Sequence, residues 1–190
     1  MAAVQLDPKS TALVLIDLQN GIMGRTLAPH AASDVVKRAA KLADAVRSKG
    51  GTVVYVRVDV SDTLHLPVDA PVRDPNAPPP PPTASELVAD CGYQAGDLLI
   101  TKRQWGAFYG TGLDQQLRRR GVRTILMGGV ATNFGVESTA RVGYDRGFEL
   151  VFVEDAMSSM SDEMHRFAVQ SIFPRMGRVR TTEEVIQALG

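Results

Sequence analysis

Three separated stretches of this 190-residue chain carry groups suited to chemistry. TALVLID, residues 11–17, is an apolar run that ends on a carboxylate, Asp17. DLLITK, residues 97–102, ends on an ammonium, Lys102. VATNFG, residues 130–135, follows a third apolar run, RTILMGGV, and leads into a helical pattern. A carboxylate at the end of a buried strand loses hydration, which raises its pKa, and a nearby ammonium lowers it again. The balance of the two suits a general acid or base. Where a strand turns into a helix, backbone N–H groups and the helix dipole favour an anion or an oxyanion. A cysteine at 135 would be activated as a nucleophile by that setting, but the residue is Gly135. Each feature also has a plainer explanation. Asp17 suits a helix cap or a surface charge, Lys102 a solvated lysine, and Gly135 a tight turn.

The elements that must position these groups follow from periodicity. Short apolar runs at 11–17, 52–58, 97–102, 123–130 and 149–155 predict buried strands, and GRVRT, 177–181, a short edge strand. Helical patterns fill 33–51 with Ser33 as N-cap, 111–121 with Thr111 as cap, 133–147, 162–173 closed by Pro174, and 182–189. This alternation predicts a doubly wound α/β domain, three layers deep, with a parallel sheet between helices. Ligands of such sheets bind beyond the carboxyl ends of the strands. Asp17, Lys102 and the 130–135 turn all fall at such ends, so they are expected to meet in one crevice. Residues 60–96 interrupt the pattern. Eight of the eleven prolines lie between 67 and 82, five of them consecutive, so a single domain with a proline-rich surface insertion is expected. The insertion suits either a spacer or a lid.

Composition narrows the partners. Lys+Arg and Asp+Glu both number 21, so nothing electrostatic argues for nucleic acid or an acidic membrane. One cysteine, Cys91, fits a reducing cytoplasm and excludes an internal disulfide. No apolar run approaches a membrane span, and the first residues lack a secretory layout. The expectation is a cytoplasmic protein with a small-molecule substrate.

Taken together, IDLQNG at 16–21, KRQWGAFYGTGLDQQLRRRGV at 102–122 and GVATNFGVESTAR at 129–141 resemble the isochorismatase-like, or cysteine-hydrolase, family. The resemblance runs from about residue 9 to 189 and omits only the proline-rich insertion. TNFGVESTAR resembles a cysteine-free bacterial subgroup. The family implies a six-stranded parallel sheet in the order 3-2-1-4-5-6, with its switch point between strands one and four. It also implies dimers or tetramers, and a cis peptide at Val130–Ala131. The family's amidases carry an Asp-Lys-Cys triad, which falls here on Asp17, Lys102 and the nucleophile-equivalent position, Gly135. Cys91 lies before the third strand, at the amino end of the sheet, and is not expected to substitute. Two functions stay open. Isochorismatases also lack the cysteine and hydrolyse a vinyl ether by acid catalysis, which would make Asp17 the acid. The other is a catalytically silent binder of small molecules.

Further residues extend the expected site. Val130, Ala131 and Asn133 line the turn, Gln19 follows Asp17, and Trp105, Phe108 and Tyr109 cluster after Lys102, where they suit either a wall over the substrate or loop and subunit packing. Gln19 and Asn133 suit substrate positioning or backbone capping equally, and Thr132 suits a helix cap. No cofactor is expected. Some nicotinamidases hold a metal after the second strand, but here DVSDTLH offers Asp59, Asp62 and His65 without a second histidine. His30, His65 and His165 are far apart in the chain, so no metal is expected.

Overall fold

The computed structural model describes residues 5–74 and 76–190. The apolar runs form six strands: β1 Thr11–Ile16, β2 Thr52–Val58, β3 Leu98–Lys102, β4 Thr124–Val130, β5 Glu149–Ser158 and β6 Gly177–Arg180. They pair in parallel in the order β3-β2-β1-β4-β5-β6, as the family resemblance implied. The order reverses between β1 and β4, which are directly paired from Thr11↔Thr124 to Ile16↔Gly129. That close pairing depends on Gly129. Its φ is +109°, and a Cβ there would lie 2.1 Å from the carbonyl oxygen of Ile16.

Among the described residues, six α-helices flank the sheet: α1 Asn20–Met23, α2 Ala32–Ser48, α3 Leu113–Arg118, α4 Glu137–Asp145, α5 Asp162–Phe167 and, after β6, α6 Thr182–Ala188. Alternate strand residues face opposite sides of a pleated sheet, which is why both sides need cover. Leu13, Leu15, Val53, Tyr55, Val151 and Val153 pack with the apolar stripe of α2 and with Val185 of α6. Ala12, Val14, Ile16, Val54 and Phe152 pack with Leu113 and Leu117 of α3 and Ala140 of α4.

Several boundaries differ from the periodicity. The N-cap of α2 is Ala31, not Ser33. Gly112 caps α3, while the Thr111 hydroxyl accepts from Leu113 N–H at 3.2 Å from just outside the helix. The expected helix 133–147 begins as a wide turn, Thr132–Val136, before the α4 geometry starts at Glu137. The expected helix 162–173 likewise widens over Ala168–Ile172. β5 is longer than expected and carries a bulge. Met127 pairs with Phe152 but Gly129 pairs with Met157, so the β5 stretch between those partners leaves the ladder register. Bulges of this kind re-aim side chains.

The carboxyl-terminal part of the 60–96 segment is strapped to the loop after β1. Asn20 N–H donates to Glu86 O and Val88 N–H to Leu18 O, and Ala84 is buried against Gly21. The residues before it are open, with Leu64 and Leu66 85% and 70% exposed. No helix of the described residues is long and apolar enough to cross a membrane.

Candidate functional site

Asp17 follows the last residue of β1 and is buried. Its φ is +54°, the left-handed region that costs an L-residue roughly 1–2 kcal/mol. The conformation is held because Asp17 N–H donates to Val56 O at 2.8 Å and Gln19 N–H donates back to Asp17 O at 2.8 Å. The strand therefore ends in a sharp turn that keeps the carboxylate at the sheet edge. Lys102, the last residue of β3, is 1% exposed, and its Nζ lies 2.8 Å from Asp17 Oδ2. The same Nζ donates to Trp105 O at 2.7 Å. Asp17 Oδ1 is buried with no hydrogen-bond partner among the described residues. Burial pushes the Asp17 carboxyl up to about 6, against the pull of the Lys102 charge and hydrogen bond and a smaller one from the Val58 backbone N–H.

The third stretch reaches the same point from β4. The Val130–Ala131 peptide is cis, and Gly135 sits in the wide turn that follows. A Cβ at 135 would lie 3.0 Å from Lys102 Nζ, 3.2 Å from Asp17 Oδ2 and 2.9 Å from Ile16 Cγ2. Position 135 thus faces the Asp17–Lys102 pair directly. The structure brings these three together although β1 and β3 are separated by β2.

The other expected site residues divide. Val130 and Ala131 are buried at the head of the turn. Gln19 does not face a ligand. Its Nε2 donates to Val58 O at 2.9 Å and Ala84 O at 3.0 Å, and its Oε1 accepts from Val58 N–H at 2.8 Å, so it ties β2 to the 60–96 segment. Asn133 Oδ1 accepts from the Ser159 hydroxyl. Thr132 does not cap the helix, because Ala131 holds that position and the Thr132 hydroxyl pairs with His165 Nδ1 at 2.9 Å. Of the aromatic trio, Trp105 alone touches the turn, with its ring edge-on to Phe134 at 4.9 Å. Phe108 is buried and stacked on Phe148, and Tyr109 is 81% exposed. Neither joins Trp105 in a wall over the pair, since the chain turns between them and sends one ring to the core and one to solvent. Two surface cavities, of about 240 and 290 Å³, are bounded by residues such as Tyr144, Leu150 and Met176 or Arg47, Val53 and Asp97, and not by Asp17, Lys102 or Gly135. Asp17 and Lys102 are 5% and 1% exposed, so the acid–ammonium pair is buried.

Cys91 lies in the turn Ala89–Cys91 before β3, buried in the α2 side of the core. Burial raises its thiol pKa, which makes it a poor nucleophile. Of the three residues in the segment where some nicotinamidases hold a metal, Asp59 accepts from Ser61, Asp62 pairs with Arg103, and His65 is exposed. What distance along the chain concealed is a different group. His30 and His165 meet Glu154, with ligand atoms that all lie within 4.8 Å of one another. The sequence signal was the acid–His pair around the end of β5, but the bulge that aims Glu154 has no sequence marker.

The doubly wound sheet, its reversed order at β1/β4 and the buried Asp–Lys pair at its carboxyl edge define an α/β protein of hydrolase type. The isochorismatase domain matches residues 11–184. YecD of Escherichia coli O157:H7, an isochorismatase family protein, is 48% identical over 98% of this chain and 100% of its own. YwoC of Bacillus subtilis, another family member, is 45% identical over 98% of each chain. A solved isochorismatase family protein from Burkholderia thailandensis superposes with a TM-score of 0.90 at 42% identity, covering 99% of both chains. The chain belongs to the isochorismatase family.

Proposed function

We propose that this protein is a small-molecule hydrolase that works through Asp17 and Lys102 without a covalent thiol intermediate, and that its reaction is acid-catalysed hydrolysis of a vinyl ether of the isochorismate type. One observation carries the reading. Asp17 is a buried carboxyl raised to about 6, with one oxygen held by Lys102 and the other, Oδ1, unpartnered among the described residues. A buried carboxylate oxygen without a donor is costly when ionised. A proton on Oδ1 relieves that cost and is in place for delivery.

In the reaction, Asp17 gives its proton to the terminal enol carbon, and the ether carbon becomes an oxocarbenium ion. Water adds to that carbon and returns a proton to Asp17. The resulting hemiketal collapses to pyruvate and the free alcohol, so one water is consumed and the acid is regenerated. No side chain forms a bond to substrate, and Gly135 is therefore no obstacle. Lys102 has three donors and uses two, on Asp17 and Trp105 O, which leaves one for a substrate carboxylate. Position 135 lies against Nζ, where even a Cβ would stand at 3.0 Å, so a carboxylate reaches Nζ only when the surrounding segments move. The N–H groups at the head of the 132–136 turn and its dipole supply the second anion contact. Because the pair is buried, substrate enters when a covering segment moves.

Pyruvate release from isochorismate by the purified protein, with Asp17→Asn beside it, tests the reading. Release that Asp17→Asn abolishes supports it, and release that persists in Asp17→Asn sinks it. No release from the unaltered protein excludes this substrate and favours the second reading, a silent binder, for which the buried pair and the bare position 135 already speak.

A further inference from the structure

Three segments that have no part in the Asp17–Lys102 pair converge on one point. His30 stands in the loop before α2. That loop is stapled to the end of β5 by reciprocal backbone bonds between Ala28 and Ser159, at 2.9 and 3.0 Å, and by the Ser158 hydroxyl on His30 O at 2.8 Å. Glu154 lies in the β5 stretch that bulges out of register. His165 comes from α5 and is 1% exposed. His30 Nε2 lies 2.8 Å and His165 Nε2 3.2 Å from the same oxygen, Glu154 Oε1. The two rings meet edge-on, with centroids 5.6 Å apart. Both imidazoles therefore aim their Nε2 atoms at one carboxylate oxygen.

From this geometry we infer that His30, Glu154 and His165 form a binding site for a divalent transition-metal ion of the zinc type. Two imidazoles and one carboxylate are ligands that such ions favour. Ligand atoms on a tetrahedral ion with bonds of ~2.0–2.1 Å stand about 3.3 Å apart. Here two of the three separations are 2.8 and 3.2 Å, and all three are within 4.8 Å. Modest adjustment reaches the coordinated arrangement, and the two ligands that must adjust are the free ones. The His30 and Glu154 side chains are 23% and 29% exposed, whereas His165 is 2%. Solvent access on their side gives the ion a way in and leaves it a water-filled position. Ring orientation is set from behind, because His165 Nδ1 is paired with the Thr132 hydroxyl at 2.9 Å. A hydrogen-bond partner on the far ring nitrogen orients a ligating histidine. With Nδ1–H donating to Thr132, His165 Nε2 presents its lone pair to the ion. Thr132 opens the wide turn that carries Gly135, so a bound ion would brace the turn that faces Asp17 and Lys102.

The test uses the full chain, stripped with chelator and exchanged into chelator-free buffer, then titrated with ZnCl₂ alone by calorimetry. Saturation at one zinc per chain is expected. His30→Ala and Glu154→Gln should each weaken binding by more than the roughly 10–100-fold that loss of a hydrogen bond to a ligand costs. Both are partly exposed, so these variants are expected to fold, unlike one at buried His165. His65→Ala, at an exposed histidine remote in the chain, should bind as the unaltered protein does. Cobalt(II) in place of zinc should give visible absorption that disappears in His30→Ala. No saturable uptake would reduce the cluster to a hydrogen-bonded network and overturn the inference. Uptake of equal affinity in His30→Ala and Glu154→Gln would overturn it too, by placing the ion elsewhere.

Discussion

Lowering the pH from 7 to 5 should raise kcat/KM about tenfold if Asp17 is the acid. With its carboxyl at about 6, roughly a tenth of the molecules carry the proton at pH 7 and roughly nine-tenths at pH 5. Above pH 7 the rate should fall about tenfold per unit. Lys102→Met then separates the influences on that group. Burial raises the Asp17 pKa, while the Lys102 charge and hydrogen bond lower it. Removing the ammonium should move the falling limb to higher pH, even if the absolute rate drops because a substrate contact is lost. The same proton is visible in stability. A folded-state pKa raised from 3.8 to about 6 means that the folded chain binds the proton more tightly than the unfolded one. That contribution is fully present below pH 3.8 and is lost as pH rises through 6. Its size is about 3 kcal/mol at about 1.4 kcal/mol per unit. Urea unfolding of the unaltered protein and of Asp17→Asn, from pH 4 to 7.5, should therefore show the variant gaining up to about 3 kcal/mol relative to the unaltered protein as the pH rises. A rate that climbs with pH through this range would make Asp17 an ionised base and refute the acid mechanism. A stability difference independent of pH would refute the raised carboxyl itself.

Two further substitutions probe the surroundings. Gly135→Cys puts a thiol beside Lys102, where the ammonium favours the thiolate, so iodoacetamide should label it at least about tenfold faster than buried Cys91. Equal labelling, read by peptide mass spectrometry, would mean that position 135 does not face the pair. Gln19→Ala removes three hydrogen bonds to Val58 and Ala84 and should cost about 2–4 kcal/mol in urea unfolding, and an effect on substrate KM without loss of stability would return Gln19 to the binding site.

Much of the architecture is legible along the chain because its cause is local. A run such as TVVYVRV must bury both faces, so it reads as a strand with helices on either side, and β2 begins and ends where its residues predict. The ends of helices were less legible. The widened turns at Thr132–Val136 and Ala168–Ile172 arise from what the segments pack against, and propensity carries no mark of them. Asp17 and Lys102 stood out as candidates because each ends an apolar strand, and strand ends are where such sheets hold ligands. For Gln19 the sequence left substrate positioning and backbone capping equally open, since one amide can serve either, and the approach of Val58 and Ala84 engages it with backbone.

By itself, then, the sequence determined the alternation of strand and helix, the family, and the bare position 135. Those depend on residue type and order, which are complete in one dimension. Tertiary structure alone decided that Asp17 Oδ1 is left without a partner, that Phe108 and Tyr109 turn away from Trp105, and that His30, Glu154 and His165 meet. Each of these is a distance between residues remote in the chain. The last depends on a bulge in β5, where a shift of register turns a side chain toward a new neighbour without any change in composition.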